Sequence, residues 1–494
     1  MAGAASYDVV VVGAGAAGSV VAARLAGGGD CSVLLLEAGP DVRKAIPEGL
    51  RDGWALDRDF YWRIDSEPDE AVGTQMVPRC RLVGGTSWMT RFAVRGSPAD
   101  FEEWAGLGNP GWGFDDVLPY LESLEDDHDF ADQPWHGSGG RIPIDRYLGI
   151  ERSPVHRASI RAIEAIGIPA VDDHNRPGAV GIGPMPMSSR NGVRVSVADA
   201  YLSVEGQPSN LTITPDVLVD RVVIERGLAT GVKLLDGTEI RAEWVVVSSG
   251  VFGSPGLLMR SGIGPASHLL EHGITPFVDL PGVGERLGDH PGTDVDCGYR
   301  GEGRPNPVLH SIGTFHSRNT VATAPPDLML WVTDPGDEPE FFIDAVLLKP
   351  EARGSVRLRS PDPTDAPVVR LPAWRQNGFD LERLVEGYEV ALEVSHHREL
   401  RDHCDGGPRP GRSRQELRDE VRQNSWSVPH FVGTCSMGPD PAEGGVVDDM
   451  GKVHGVDRLS VIDASIIPIV PSGFTHLPTI MLAERLAENL DSIL

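Results

Sequence analysis

Three glycines and one acid near the start of the chain make a place for a diphosphate. Gly13, Gly15 and Gly18 fall in the pattern G-x-G-x-x-G, and Glu37 follows Gly18 by 19 positions. Before the glycines runs Asp8-Val-Val-Val-Val12, and before the acid Ser32-Val-Leu-Leu-Leu36, both with the composition of buried strands. Strand, glycine turn, helix, strand and terminal acid is the order of a dinucleotide-binding unit. Gly13 permits the tight turn, Gly15 lets a pyrophosphate approach the backbone, and Gly18 lets helix and strand pack closely. Amides from Ala14 onward, at the positive end of the helix dipole, are aimed at phosphate. This pattern does not separate FAD from NAD.

The elements that position these residues follow from the rest of the chain. A second glycine turn lies at Arg81-Leu-Val-Gly-Gly-Thr-Ser87. Helices are expected at 100–104, at 115–124 with Asp115 as cap, and at 154–166, with a surface loop at 124–140. From Leu211 the pattern turns to strands, at 211–214, 217–225, 229–235 and 239–248, with a hairpin at Asp236-Gly237. A helix is expected at 254–260. Residues 294–330 are weakly patterned, and 341–372 alternate like an antiparallel sheet. Helices are expected at 381–395, 414–424 and 478–490, with a strand at 459–463 and an irregular stretch up to His476.

The 494 residues suffice for two or more domains. A formal net charge of −28 argues against nucleic acid or an anionic membrane as partner. Five scattered cysteines without a C-x-x-C indicate neither a zinc site nor a disulfide scaffold, and point to reduced thiols in a cytoplasmic protein. No signal-like N-terminus and no run of about 18 apolar residues is present.

Several further blocks carry a resemblance. They are Phe101-Glu-Glu-Trp-Ala, Asn109-Pro-Gly-Trp, Val247-Ser-Ser-Gly-Val-Phe-Gly-Ser-Pro-Gly, Ser261-Gly-Ile-Gly-Pro and Asp289-His-Pro. Near the end come His430-Phe-Val-Gly-Thr-Cys-Ser-Met-Gly, Val461-Ile-Asp-Ala-Ser and Pro478-Thr-Ile-Met-Leu-Ala-Glu. In this order they make the whole chain similar to the glucose–methanol–choline (GMC) oxidoreductases, FAD-dependent enzymes that oxidise alcohols. The resemblance implies an α/β protein, α+β overall. A Rossmann-type FAD-binding domain (1–155, 201–293, 426–494) is interleaved with an antiparallel-sheet substrate domain (156–200, 294–425). It implies that Gly13, Ala14, Gly15, Gly18, Glu37 and Ala38 serve the ADP half and that Val219 meets the adenine. Gly84, Gly85, Ser87 and Thr90 would lie near the flavin and pyrophosphate, Asp463 and Ala464 near the diphosphate or ribityl chain. His430 matches the residue that faces the flavin as catalytic base, accepting the hydroxyl proton while hydride leaves carbon for flavin N5; a neutral imidazole suits that task near pH 7. His290 is expected to be structural. No metal is implied. The partners are a small-molecule alcohol and dioxygen or another electron acceptor.

Three departures from the family pattern stand out. The first signature lacks its asparagine, leaving Thr90 or Met89 nearest. Met89 also stands where some relatives tether FAD through a histidine, so a non-covalent cofactor is expected. The late polar partner of the base falls on Phe474, which cannot donate a proton, and His476 two residues on is the candidate to replace it, either beside the base or on the cofactor. The region 294–330 is compact and leaves the substrate undescribed. These departures keep a GMC-type lyase, or another non-redox FAD protein, as the alternative, and an FAD-binding carrier as a third reading.

Overall fold

A computed structural model describes residues 6–29, 31–52, 58–300, 310–333, 341–408 and 411–494. Residues 301–309 of the weakly patterned stretch lie outside them. The valine run of Ser6–Val12 becomes the centre of a seven-stranded sheet, in the order Leu211–Thr214, Val33–Leu36, Ser6–Val12, Glu239–Val247, Leu228–Leu234, Val219–Glu225. The first four strands run parallel, and Leu459–Val461 pairs in parallel with the far half of Glu239–Val247. Its near half forms the expected antiparallel hairpin with Leu228–Leu234. Strands covered on both faces read as unbroken apolar runs rather than alternating ones, and Val9 to Val12 and Val33 to Leu36 are all buried. The helix Ala16–Gly27 packs against the last helix, His476–Asp491. The two ends of the chain therefore build one layer, and the α/β, Rossmann-type fold expected from the sequence is present.

A second, six-stranded antiparallel sheet runs in the order Trp426–Ser427, Pro291–Asp296, Phe342–Leu347, Leu328–Thr333, His310–Phe315, Ile182–Pro184. Here side chains alternate between two environments. Val295, Leu330, Val332, Ile343, Ala345 and Leu347 belong to a core shared with the helix Gly378–Ser395. Met329, Trp331, Val346 and Ile312 point the other way, with Phe474 and Phe92. The strand Pro291–Asp296 runs through the boundary expected at 293/294, and Trp426–Ser427, expected with the cofactor domain, is the edge strand of this second sheet.

Residues 124–140 are a surface loop only in part: 128–140 is irregular and largely exposed or half-buried, but the start of the stretch and His136 are buried. Glu125–Asp127 is a short strand, and Glu125, Asp127 and His136 are buried together with Arg146 and Asp173. Their polar composition reflects mutual pairing, not exposure. Arg146 holds Asp127 at 2.9 Å and Asp173 at 2.9 Å, and His136 reaches Glu125 at 2.8 Å and Asp173 at 3.0 Å. Burial works to discharge His136, but its hydrogen bonds to Asp173 and Glu125 prevail and hold it above the usual imidazole range. Both ring nitrogens face carboxylates within hydrogen-bond distance. Helix starts also differ from expectation: those expected at 100, 254 and 381 begin at Pro98, Gly250 and Gly378. Gly113, not Asp115, precedes Phe114–Leu124, and the last helix begins at His476 rather than Pro478. Among the described residues, no helix is long and apolar enough to cross a membrane.

Gly18 fixes how closely the first helix lies on the first turn, since a Cβ there would sit 1.9 Å from the Gly13 carbonyl oxygen. Gly18→Ala is expected to destabilise the protein by about 1–3 kcal/mol, the cost of overpacking, read as a lowered thermal midpoint of unfolding.

Candidate active site

One cavity of about 1130 Å³ runs from the first glycine turn to the face of the second sheet. Gly13, Gly15, Glu37, Ala38 and Val219 line one end; Gly85, Ser87, Thr90, Asp463 and Ala464 follow; His430, Phe474 and His476 line the other end. Ala14, Gly18 and Gly84 stand behind this wall. The structure thus brings the sequence-predicted residues around one space, although 450 positions separate Gly13 from Asp463.

At the glycine end the cavity fits a dinucleotide. Gly13 has φ +101, and a Cβ there would lie 2.5 Å from the Ser248 carbonyl oxygen. A Cβ at Gly15 would meet nothing within 4 Å, so the space before this residue is free for phosphate. The first-turn amides of the helix Ala16–Gly27 lack intrahelical partners. Ala14 corrects the expectation that its amide is free, because its N–H donates to Glu37 Oε2 at 2.9 Å. Glu37 also accepts from Gly39 N at 2.9 Å, while burial pushes its carboxyl up to about 7. Asp463 is likewise committed to protein, accepting from Gly250 N at 2.9 Å, Ser254 Oγ at 2.5 Å and Ser465 N at 2.8 Å. It ties the strand Leu459–Val461 to the start of the helix Gly250–Arg260. Ser87 Oγ donates to Gly84 O at 2.6 Å and accepts from Val197 N at 3.1 Å, fixing the second glycine turn.

At the other end His430 is clamped by its neighbours in the Asp289-His-Pro block. Asp289 Oδ1 accepts the His430 backbone N–H at 2.6 Å, and its other oxygen accepts from Ser427 Oγ. His290 Nδ1 lies 3.0 Å from His430 Nδ1, with the rings perpendicular. The tautomers follow. His290 Nε2 faces the Pro471 carbonyl oxygen at 3.0 Å and must carry the proton. Burial pushes His290 down to about 4, so it is neutral and its Nδ1 is a lone pair. His430 therefore donates from Nδ1, and its Nε2 is left as the basic nitrogen. Burial first, then His290 and Arg79, hold His430 well below the usual imidazole range.

Sequence reasoning did not find the role of His290; the signal was its place directly after Asp289 in a matched block. Nor did it find Arg79, whose guanidinium donates to Pro78 O and Pro429 O, each at 2.8 Å, and lies 4.7 Å from the centre of the Phe431 ring. Phe474 packs on the base edge to face, with ring centres 4.8 Å apart at 81°. His476, on the first turn of the last helix, is buried and lines the same cavity. Its Nε2 has no hydrogen-bond partner among the described residues, and burial pushes the ring down to about 4. The imidazole standing on His430 is that of His290.

Two models described as GMC oxidoreductase match residues 7–292 and 350–483. The chain is 33% identical to 5-(hydroxymethyl)furfural oxidase of Methylovorus sp., covering 98% of each chain. It is 31% identical to an oxygen-dependent choline dehydrogenase of Vibrio vulnificus over 98% of this chain and 94% of that one. Among solved structures, pyridoxine 4-oxidase from Mesorbium loti superimposes with a TM-score of 0.90 at 32% identity, covering 98% and 99% of the two chains.

Because a Cβ at Gly15 would meet no protein atom within 4 Å, a small side chain there obstructs mainly a ligand. Gly15→Val is expected to fold, with a thermal midpoint near that of the cofactor-free native protein, and to lose bound FAD. Flavin absorbance after purification measures this.

Proposed function

The chain belongs to the GMC oxidoreductases, FAD-dependent enzymes acting on CH–OH donors, and from that footing we propose how its own residues oxidise a primary or secondary alcohol. The observation that carries this reading is the single cavity joining the G-x-G-x-x-G turn to the unprotonated Nε2 of His430. In the proposed site Gly13, Gly15, Gly85 and the first-turn amides hold the FAD diphosphate, and Val219 flanks the adenine. Bound FAD supplies the hydride acceptor. His430 Nε2 takes the hydroxyl proton of the alcohol. The positive charge then gained by His430 is stabilised through its Nδ1–H by the His290 lone pair, and Asp289 keeps the ring in place by holding its backbone. His290 and Asp289 are positioning residues. Phe474 and Phe92 exclude water from the reacting end, which strengthens each polar contact there.

His476 we assign to the cofactor. Its buried Nε2 without a protein partner is the kind of orphan that a ligand satisfies. The loop Gly85–Phe92 holds no histidine, which supports FAD held without a covalent bond. The two sheets support the proposed division into interleaved cofactor and substrate domains. Five buried, unpaired cysteines fit the reducing cytoplasm.

Anaerobic mixing of the FAD-loaded protein with alcohols tests the function. Bleaching of the flavin absorbance is expected, and turnover without bleaching would instead fit a lyase. His430→Ala should keep FAD and slow bleaching on the order of a hundredfold or more, the scale of a lost general base. Since His430 lies below the ordinary imidazole value of 6.5, it remains unprotonated at neutral pH. The acid limb of the bleaching rate should therefore fall below pH 6.5, and a limb above that value would contradict the assignment. His476→Ala is expected to weaken FAD retention while leaving the bleaching rate of the loaded fraction within a few-fold of native; a loss matching that of His430→Ala would make it a catalytic partner.

A further inference from the structure

Two of the five cysteines meet beside the second sheet, far from the cavity's reacting end. Just past the strand Pro291–Asp296 the chain runs antiparallel to the segment that follows the helix Gly378–Ser395. Tyr299 stands opposite Cys404, with Arg300 N donating to His403 O at 2.9 Å and Asp405 N donating to Gly298 O at 3.1 Å. That bond pattern makes Tyr299 and Cys404 a non-hydrogen-bonded pair, the kind whose backbones lie closest. The Arg300–Asp405 ion pair spans the same ladder. Cys297, two residues before Tyr299, falls on the same face and is the diagonal neighbour of Cys404. The position due opposite Cys297 is Gly406, which has no side chain to stand between the sulfurs. The two thiols accordingly share a side-chain hydrogen bond, although 107 positions separate them in the chain.

The surroundings make the two sulfurs unequal. With both protonated, each S–H reaches a carbonyl of its own segment, Val295 O and Leu400 O, both at 3.5 Å. Once Cys404 ionises, its sulfur accepts from the Cys297 thiol and from the Gly406 N–H, with the Arg300 guanidinium near. The Cys297 hydrogen bond leads in holding Cys404 down to about 7, against burial. The same bond, and then burial, raise Cys297 above the usual thiol range. Burial leads at the other three cysteines and pushes Cys31 up to about 11, Cys80 up to about 12 and Cys435 well up. Cys297 and Cys404 belong to the core behind the second sheet but lie at its rim. Asp296 and Gly298 on either side of Cys297, and Asp405 next to Cys404, are exposed. A small oxidant has one layer of residues to pass.

We propose that Cys297 and Cys404 are a peroxide-sensitive pair that closes to a disulfide, with Cys404 as the attacking sulfur and Cys297 as the resolving one. This goes beyond the oxidation of alcohols and holds whichever acceptor reoxidises the flavin. The oxidant is hydrogen peroxide. The Cys404 thiolate attacks one peroxide oxygen, and the O–O bond breaks. The sulfur becomes a sulfenic acid, and the departing hydroxide takes up the proton that Cys404 released, giving water. The Cys297 sulfur then attacks the sulfenic sulfur, the S–O bond breaks, and the second hydroxide leaves as water with the Cys297 proton. Two thiols lose two electrons and two protons, and one peroxide becomes two waters. The bond closes a loop that holds the strands His310–Phe315, Leu328–Thr333 and Phe342–Leu347 and the helix Gly378–Ser395, so it restrains the unfolded chain across the middle of the second sheet.

The test treats the FAD-loaded native protein with a few equivalents of hydrogen peroxide, alkylates it in denaturant and maps its peptides by mass. One bond joining Cys297 to Cys404 is expected, with two of the five thiols lost to alkylation and both recovered after dithiothreitol. Five alkylated thiols after peroxide, a bond between any other pair, or sulfinic acid in place of the bond would overturn the proposal. The oxidised form should unfold about 2 °C or more above the reduced form. An equal or lower midpoint would mark the bond as a product of local distortion and also count against it. Cys297→Ser should trap the sulfenic acid on Cys404, captured as its dimedone adduct; no adduct, or one on another cysteine, would remove Cys404 as the attacking sulfur. The thiol count and the peptide map need no variant and hold whether or not Cys297→Ser folds.

Discussion

Everything at the reacting end depends on one hydrogen bond, between His430 Nδ1 and His290 Nδ1 at 3.0 Å. Two buried neutral imidazoles can share it only if one ring donates. The Pro471 carbonyl decides which, by taking the proton on His290 Nε2. The choice propagates outward and leaves His430 Nε2 unprotonated, with no hydrogen-bond donor among the described residues. Burial, which would be a liability for a charged histidine, is what keeps the pair in this state. The Asp289-His290 dipeptide therefore acts on both the backbone and the ring of the same residue.

The two sheets divide the work according to how they are covered. The central parallel strands of the first sheet are buried on both faces, so Val9–Val12 and Val33–Leu36 are uniformly apolar and the polar chemistry is displaced to the turns: Gly13, Gly15, Glu37 and Asp463 all lie at strand ends. The antiparallel sheet packs one face on helices and turns the other to the cavity. Its alternation can deliver acids and indoles to a ligand without breaking the core behind them.

Charge is treated in two ways within the buried regions. The group around Arg146, Asp127, Asp173 and His136 satisfies itself, each carboxylate meeting a cation within about 3 Å. Asp344 faces only another acid. The same physical rule, that buried charge needs a partner, reads the first as architecture, while Asp344 is half-buried at the cavity wall.

The sequence by itself determined the fold class and marked out the glycine turn, because these are encoded locally; His430 became a candidate only through the blocks around it. A glycine triplet spaced for a turn, an apolar strand on either side and an acid at a set distance need no knowledge of distant residues. Hairpin and helices were legible for the same reason, down to the Asp236-Gly237 turn. What the tertiary structure alone decided were relations between residues far apart in the chain. His290 and His430 are 140 positions apart, and nothing local in either marks the other. Glu125 and Asp173, read singly, look like solvated acids; only their convergence on His136 and Arg146 buries them. Asp344 and Trp331 share a face only once the strand register is known, since a slip of one residue would send both into the apolar core.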